Sequence, residues 1–150
     1  MPRPEAATDP RDMPDGWFDL TPELDDRVRA LSAAPPRQGD RAHPIHAYLG
    51  ALGGMPMRIG DFSRALGLAF DAGPVLGECT MTYPGRLRTG QRYRVSTEIL
   101  DLTRKPSRRF GMADHLVLAI TLSDASGPAS ILRFKMITPV VEDEQRHDTT

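Results

Sequence analysis

The chain has 150 residues, with 19 Lys and Arg against 20 Asp and Glu and a formal net charge of -1. This length allows one compact domain, and the charge balance argues against a general nucleic-acid or membrane-surface binder, which would carry a basic excess. The single cysteine, Cys79, excludes an internal disulfide and a multi-cysteine zinc site and suits a reducing cytoplasm. No segment has the apolar length of a secretory signal or of a membrane span. The sequence therefore predicts a small cytoplasmic domain with no membrane or nucleic-acid partner.

Both ends of the chain differ in composition from its middle. Residues 1–16 are rich in proline and acidic side chains and poor in branched apolar ones, and residues 142–150 have the same character. Such segments cannot bury enough apolar surface to fold alone. We expect a disordered arm over 1–16, a single domain over 17–141 and a disordered tail over 142–150.

The first predicted helix follows a short apolar patch, Trp17–Leu20. Thr21 is suited to the N-cap and Pro22 to the first helical position, while Pro35 ends the helix. The apolar residues recur every three or four positions and predict one buried face, formed by Leu24, Val28 and Leu31.

A second helical pattern covers Arg58–Leu68. Ile59, Phe62 and Leu66 have helical spacing, and Asp61 lies near the start, where a carboxylate favours the helix dipole. We interpret this segment as the central buried helix.

After Pro74 the apolar period changes from about 3.6 to 2, which is typical of strands. Four strands are predicted, with turns marked by Gly and Pro between them, over residues 75–83, 91–103, 113–123 and 130–139. Successive long strands favour an antiparallel meander, so the fold class is α+β, with a curled sheet wrapped around one helix. Such a sheet exposes an edge, and pairing with another subunit would cover it.

The segment Gly73–Val140 resembles the hot-dog fold and, within it, the MaoC-like dehydratase/hydratase superfamily. The matching positions in the strand region are Leu87, Gly90, Tyr93, Val95, Glu98, Ile99, Asp101 and Lys105. The resemblance implies a protein that handles acyl thioesters carried on coenzyme A (CoA) or acyl carrier protein, without a cofactor.

The catalytic signature of MaoC-like hydratases is a loop of the form G-D-x-N-P-[I/L]-H. This chain has Gly-Asp-Arg-Ala-His-Pro-Ile-His over residues 39–46, which fits the signature with one residue inserted and with His43 at the Asn position. The resemblance then implies that Asp40 acts as a general base while His46 positions water or shuttles its proton during hydration of a 2-enoyl thioester, with His43 beside them. Backbone amides near Gly53, Gly54 and Met55 are candidates for the oxyanion hole.

A basic run beyond the signature is a candidate carrier site. Its residues Arg86, Arg88, Lys105 and Arg108 are the candidates that would hold the phosphates of CoA. The alternative is a solvated outer face. A metal site at His43 and His46 lacks a clear third ligand, so no metal is predicted.

Structural roles remain open for the other chemistry-bearing residues. Asp40 can cap a turn, and His46 can be a core-edge histidine bonded to a carbonyl. His115 is interpreted as structural, and Cys79 as a small buried hydrophobe.

Three functions follow from these alternatives. The first is hydration or dehydration of a 2-enoyl-CoA. The second is a non-catalytic or half-catalytic hot-dog subunit that binds acyl-CoA or pairs with an active chain, as a homodimer or a heterodimer. The third is a thioesterase in which Asp61 activates water.

Overall fold

A computed structural model describes residues 13–141, so most of the predicted arm and all of the predicted tail lie outside the described residues. Within this range five strands form one antiparallel sheet in the order β1-β3-β4-β5-β2. The strands are β1 Gly16–Leu20, β2 Val75–Thr82, β3 Gln91–Ser107, β4 Gly111–Asp124 and β5 Gly127–Pro139. The helices are α1 Pro22–Leu31, α2 His46–Gly53 and α3 Ile59–Ala65, followed by a 3-10 turn at Phe70–Ala72.

The predicted four-strand meander is wrong in one strand. β3, β4 and β5 do form a meander, but β2 pairs with β5, from Val75 opposite Ile137 to Thr82 opposite Ile131. The eight residues between β2 and β3 are too many for a tight hairpin and carry the chain across the sheet to the other side of β4. β2 is consequently an edge strand.

One face of the sheet holds the core. The alternate β4 residues Leu116, Leu118, Ile120 and Leu122 are fully buried, as period-2 alternation requires. Among the helices, α2 contacts three strands on this face, β1, β4 and β5. The helix inside the curled sheet is therefore α2.

The expectation that Arg58–Leu68 forms the central helix is wrong. That segment contains the seven-residue α3, which packs beside the 3-10 turn, although its Phe62 is fully buried. The central position requires small residues rather than large apolar ones. A Cβ at Gly50 would lie 2.6 Å from the Phe18 ring, and Ala47 and Ala51 are fully buried.

The cap of α1 is confirmed, whereas its predicted buried face is not. The Thr21 hydroxyl accepts a hydrogen bond from the Leu24 amide at 3.1 Å, and Pro22 occupies the first helical position. Leu31, however, is 87% exposed, and the buried residue of this helix is Asp25.

The expectation that Cys79 is buried is also wrong. Cys79 is exposed on β2, an edge strand that has a neighbouring strand on one side only. No helix among residues 13–141 is both long and apolar enough to cross a membrane.

Candidate functional site

The Asp25 carboxylate is fully buried and accepts hydrogen bonds from four groups. Oδ1 receives the His43 backbone amide at 2.8 Å and the Nε2 of His46 at 2.9 Å. Oδ2 receives Arg29 Nε at 2.8 Å and Arg37 Nη1 at 3.2 Å. This carboxylate thus ties α1 to the loop before α2 and to the first residue of α2.

The Asp25 carboxylate is held in its ionised form. Burial opposes ionisation, but the bonds from the His43 amide, Arg29, His46 and Arg37 outweigh it and hold the pKa of the carboxyl well below its usual range. Because both oxygens are occupied by donors, this carboxylate has little capacity left to accept a proton from a substrate water.

His46 is fully buried beside Asp25. Burial lowers the pKa of this imidazole, against the opposing effect of the Asp25 carboxylate. The neutral ring donates its Nε2 proton to Asp25, which leaves a lone pair on Nδ1. This Nδ1 has no hydrogen-bond partner among the described residues.

The predicted pair of Asp40 and His46 is not brought together by a hydrogen bond within residues 13–141. Asp40 is exposed, and its backbone carbonyl accepts the Thr89 amide at 2.8 Å. The carboxylate beside His46 is instead Asp25, which sequence reasoning missed. The Asp25 position carried no distinguishing signal, because an acidic residue in the first turn of a helix is normally explained by the dipole.

His43 is partly buried at the entrance to α2. Its Nδ1 accepts the Ile45 amide at 3.0 Å, so the neutral ring carries its proton on Nε2. The next carbonyl, that of Pro44, accepts the Tyr83 hydroxyl at 2.7 Å. The imidazole thus has a fixed tautomer beside the end of β2.

The predicted oxyanion residues lie at the wrong end of α2 for helix-dipole assistance. Gly53 is the last residue of this helix, and the Gly54 amide donates to the Gly50 carbonyl at 2.9 Å. A helix C-terminus carries partial negative charge, which disfavours an oxyanion. Gly54 has a packing role, because a Cβ there would lie 2.5 Å from Val95 Cγ2. Met55 is buried in the core.

Asp61, the predicted thioesterase residue, lies on α3 rather than on the central helix. Its side chain is 64% exposed and pairs with Arg64 at 3.2 Å. It is therefore placed on the surface, on a helix beside the 3-10 turn.

An open cleft of about 440 Å³ lies between the loop that precedes α2 and the connection from β2 to β3. Arg29, Arg41 and Arg86 line it, with Tyr83 and Pro44 at one side. A neighbouring cleft of about 380 Å³ shares Arg86 and adds Arg88. Arg41 was not singled out from the sequence.

The arginine cluster, defined as Arg41, Arg86 and Arg88, combines exposure with a lack of partners. Arg41 and Arg88 face each other directly in an antiparallel bridge, and like charges in that position repel. All three are exposed, and their guanidinium groups have no hydrogen bond or ion pair within the described range. A bound anion would relieve this repulsion.

The four predicted carrier-binding residues divide into two groups. Arg86 and Arg88 belong to the arginine cluster, whereas Lys105 lies near the far end of β3 and Arg108 in the turn after it. A strand from Gln91 to Lys105 spans roughly 45 Å. One bound carrier head group therefore cannot contact both groups in the same chain.

A metal centre finds no support among residues 13–141, where no group of three or more His, Cys, Asp or Glu side chains is arranged to hold an ion.

Neither a protein-family profile nor a curated protein sequence matches the chain. Solved structures do match. The ChsH1-ChsH2 complex from Mycobacterium tuberculosis aligns with a TM-score of 0.61 at 15% identity over 87% of this chain and 86% of that chain. The HadBC (3R-hydroxyacyl-ACP dehydratase) complex from the same organism has a TM-score of 0.60 at 13% identity over 83% and 95%.

A third similar structure is a thioesterase from Thermus thermophilus complexed with coenzyme A and Zn. It aligns with a TM-score of 0.54 at 10% identity and covers 90% of this chain and 96% of that chain. Identities this low establish shared architecture rather than shared chemistry. The chain therefore has the hot-dog fold that the resemblance implied, with its long antiparallel sheet curled around α2.

Proposed function

We propose that this chain binds an acyl thioester carried on CoA or acyl carrier protein and acts as a non-catalytic or half-catalytic hot-dog subunit beside a second hot-dog chain. One contrast supports this proposal most directly. The Asp25–His46 pair is closed to solvent, whereas the cleft lined by Arg41 and Arg86 is open.

The arginine cluster favours a phosphate-bearing ligand. Guanidinium groups bind phosphates through paired, charge-assisted hydrogen bonds. Because Arg41 and Arg88 repel each other across their bridge, an anion between them gains energy that a neutral ligand cannot. The pyrophosphate and 3′-phosphate of CoA, or the phosphodiester of a carrier protein, have the required charge.

The Asp25–His46 pair is a poor candidate for activating water in the isolated chain. A general base must reach the water proton within about 2.6–3.2 Å. Neither side chain is exposed, and both Asp25 oxygens already accept hydrogen bonds from Arg29, Arg37, His43 and His46. The pair is better suited to fixing α1 against α2.

The exposed edge strand β2 is the evidence that favours a second subunit. Most of its residues are exposed, including Leu76 at 53% and Cys79, and one side of its backbone has no strand partner within residues 13–141. Such an edge favours pairing with another chain. The two similar mycobacterial structures, ChsH1-ChsH2 and HadBC, are complexes, which agrees with this arrangement.

Calorimetric titration with CoA tests the ligand. We expect the double variant Arg41→Ala/Arg86→Ala to weaken CoA binding by about tenfold or more. The matched control is Lys105→Ala/Arg108→Ala, which removes two positive charges at the far end of β3 and should leave affinity unchanged. A CoA affinity equal to that of the wild type in the first variant, or a reduced CoA affinity in the control, would contradict this binding site.

Loss of enoyl absorbance with crotonyl-CoA and a longer 2-enoyl-CoA tests the catalytic part. The chain alone should hydrate neither compound above background while still binding CoA. Hydration by the purified chain that disappears in Asp25→Asn or His46→Asn, while the circular dichroism spectrum and CoA binding are retained, would show that the closed pair opens and acts.

Hydration by this chain's own groups is the second candidate, favoured by His43. Its tautomer is set by the Ile45 amide, it is partly exposed, and Asp40 lies three residues before it on an exposed loop. In this case Asp40→Asn and His43→Gln would each lower kcat by about 100-fold or more, while Asp25→Asn would act mainly on stability. The two candidates thus predict different sensitive residues.

A further inference from the structure

The tryptophan platform, defined as Trp17, Arg92 and Arg94, lies where the edge strand β1 meets β3. Trp17 is 50% exposed and directly opposite Arg94. The guanidinium carbons of Arg92 and Arg94 lie 4.8 Å and 5.7 Å from the centroid of the indole ring. Guanidinium groups stack on aromatic rings, and an exposed tryptophan is a residue type that dominates binding surfaces. The platform therefore presents flat groups to solvent.

The platform borders a cleft of about 230 Å³, whose other wall is residues 123–125 at the end of β4. Its two arginines already have carboxylate partners. Arg92 Nε lies 3.5 Å from Asp19 Oδ1, and Arg94 Nε lies 3.6 Å from Asp15 Oδ2. The arginine cluster, in contrast, has no such partners within the described range. The platform cleft therefore favours a neutral planar ring, whereas the arginine cluster favours phosphates.

The platform cleft adjoins the cleft of about 380 Å³ that holds Arg86 and Arg88. Asp124, at the turn between β4 and β5, lines both clefts. Gln91 lines the arginine side and Arg94 the platform side, three residues further along β3 and thus roughly 10 Å away. A ribose and the long arginine side chains can cover this distance. A ligand with its phosphates on the arginine cluster can therefore extend a second group onto the platform.

We propose that the tryptophan platform binds the adenine ring of CoA while the arginine cluster holds its phosphates. This inference rests on the proposed function and narrows the carrier to CoA, because the phosphopantetheine of a carrier protein has no base to stack. Adenine is neutral and planar, and bases stack on both aromatic rings and guanidinium planes. Its amino group is a donor, and acceptors are provided on the facing wall by the Ser123 hydroxyl and the Asp124 carboxylate. Asp124 Oδ1 accepts the Ser126 amide at 2.8 Å, which leaves Oδ2 for this donor.

Tryptophan fluorescence tests the contact directly. Trp17 is the single tryptophan of the chain, so the emission reports on the platform alone, and an adenine ring stacked on indole quenches it. Titration of the full chain with CoA should quench the emission with the same Kd that calorimetry gives. The matched probe 4′-phosphopantetheine lacks the adenosine part and should leave the emission unchanged. CoA binding by calorimetry without quenching would overturn the adenine site.

Variants of the ring test its contribution to affinity. Trp17→Ala should weaken CoA binding by about tenfold, since one stacked base contributes this much, and should leave the affinity for 4′-phosphopantetheine unchanged. Trp17→Phe keeps an aromatic ring and should lose less. The matched control is Phe110→Ala in the turn between β3 and β4, which removes another ring with a guanidinium carbon, that of Arg109, 5.7 Å from its centroid. This control should leave both affinities unchanged.

The outcomes separate this inference from the proposed function. An unchanged CoA affinity in Trp17→Ala, or equal losses for CoA and 4′-phosphopantetheine, would overturn the adenine site, and CoA binding that still depends on Arg41 and Arg86 would leave the proposed function standing. A loss in Trp17→Ala with none in Arg41→Ala/Arg86→Ala would support the platform and contradict the phosphate site. A wild-type chain that binds no CoA would contradict both.

Discussion

Asp25 Oδ1 lies 2.9 Å from His46 Nε2, although the two residues are 21 positions apart and neither side chain is exposed to solvent. Two arginines and a backbone amide complete the set of donors around the carboxylate. The pair joins α1 to the first residue of the helix inside the sheet. Loss of this pair should therefore reduce the stability of the fold before it affects any reaction.

Replacing Asp25 should destabilise the protein strongly. Asp25→Ala leaves Arg29, Arg37 and His46 without their shared acceptor, and removing one partner of a buried ion pair costs about 3–5 kcal/mol. Urea unfolding followed by circular dichroism measures this change. The control is Asp26→Ala, since Asp26 is 64% exposed and bonded only to Arg37, and it should cost less than about 1 kcal/mol. Similar losses in both variants would contradict the role assigned to Asp25.

Stability should fall on acidification below pH 6.5. Burial lowers the pKa of His46 below 6.5, so the unfolded chain takes up this proton more readily than the folded one. The contribution is complete above pH 6.5 and is lost as pH falls towards the folded pKa, by up to about 1.4 kcal/mol per pH unit. Burial, followed by Lys135 and Lys105, lowers the pKa of His115 in the same direction.

Asp25 extends this loss to lower pH. Its folded pKa is depressed, so its contribution is complete above the ordinary value of 3.8 and declines below it. Free energies of unfolding measured from pH 3 to 8 should therefore rise with pH up to about 6.5 and level off above it. His46→Asn should reduce the slope near pH 6 and leave the part due to His115. A wild-type stability independent of pH between 5 and 7 would refute the assignment.

Neighbouring glycines at the end of α2 should respond in opposite ways to alanine. A Cβ at Gly54 would meet Val95 Cγ2 at 2.5 Å and the Trp17 carbonyl oxygen at 3.1 Å, so Gly54→Ala should cost about 1–3 kcal/mol. A Cβ at Gly53 meets nothing within 4 Å, and Gly53→Ala should be neutral or stabilising by up to about 1 kcal/mol. Thermal unfolding of both variants checks the pair. Equal effects would mean that α2 and β3 are not in close contact here.

The Cys79 thiol should react readily in the native chain. It is exposed on the edge strand β2, so Ellman's reagent at pH 8 should modify one thiol per chain at a rate close to that in urea. Adding a hot-dog chain that pairs along β2 should slow this reaction, because the second strand would cover the thiol. Slow labelling of the purified chain alone would mean that another copy already covers this edge.

Local patterns predicted most of the secondary structure. Alternation placed β3 over residues 91–103 and β4 over 113–123, and both strands are present and longer. Thr21 and Pro22 marked the start of α1 because a cap requires only residues within one turn. These features depend on neighbours in sequence and therefore can be read without the fold.

The candidate site could be predicted only in part. The sequence singled out His43, His46, Arg86 and Arg88, and the structure places the two histidines at the start of α2 and the two arginines on a neighbouring cleft. Their roles remain predictions. Arg41 became notable only through its bridge to Arg88, and Lys105 was separated from the cluster by the length of β3.

The sequence by itself determined the α+β class, the long strands and the cap of α1, because hydrophobic period and turn chemistry act over a few residues. Only the tertiary structure decided which helix lies inside the sheet, which strand forms its edge and which carboxylate meets His46. α2 occupies the central position because its small residues let the helix pack closely against the sheet, and this matters there more than side-chain hydrophobicity. Asp25 acquired its importance because donors from α1, the loop and α2 converge on it, and such convergence has no local signature.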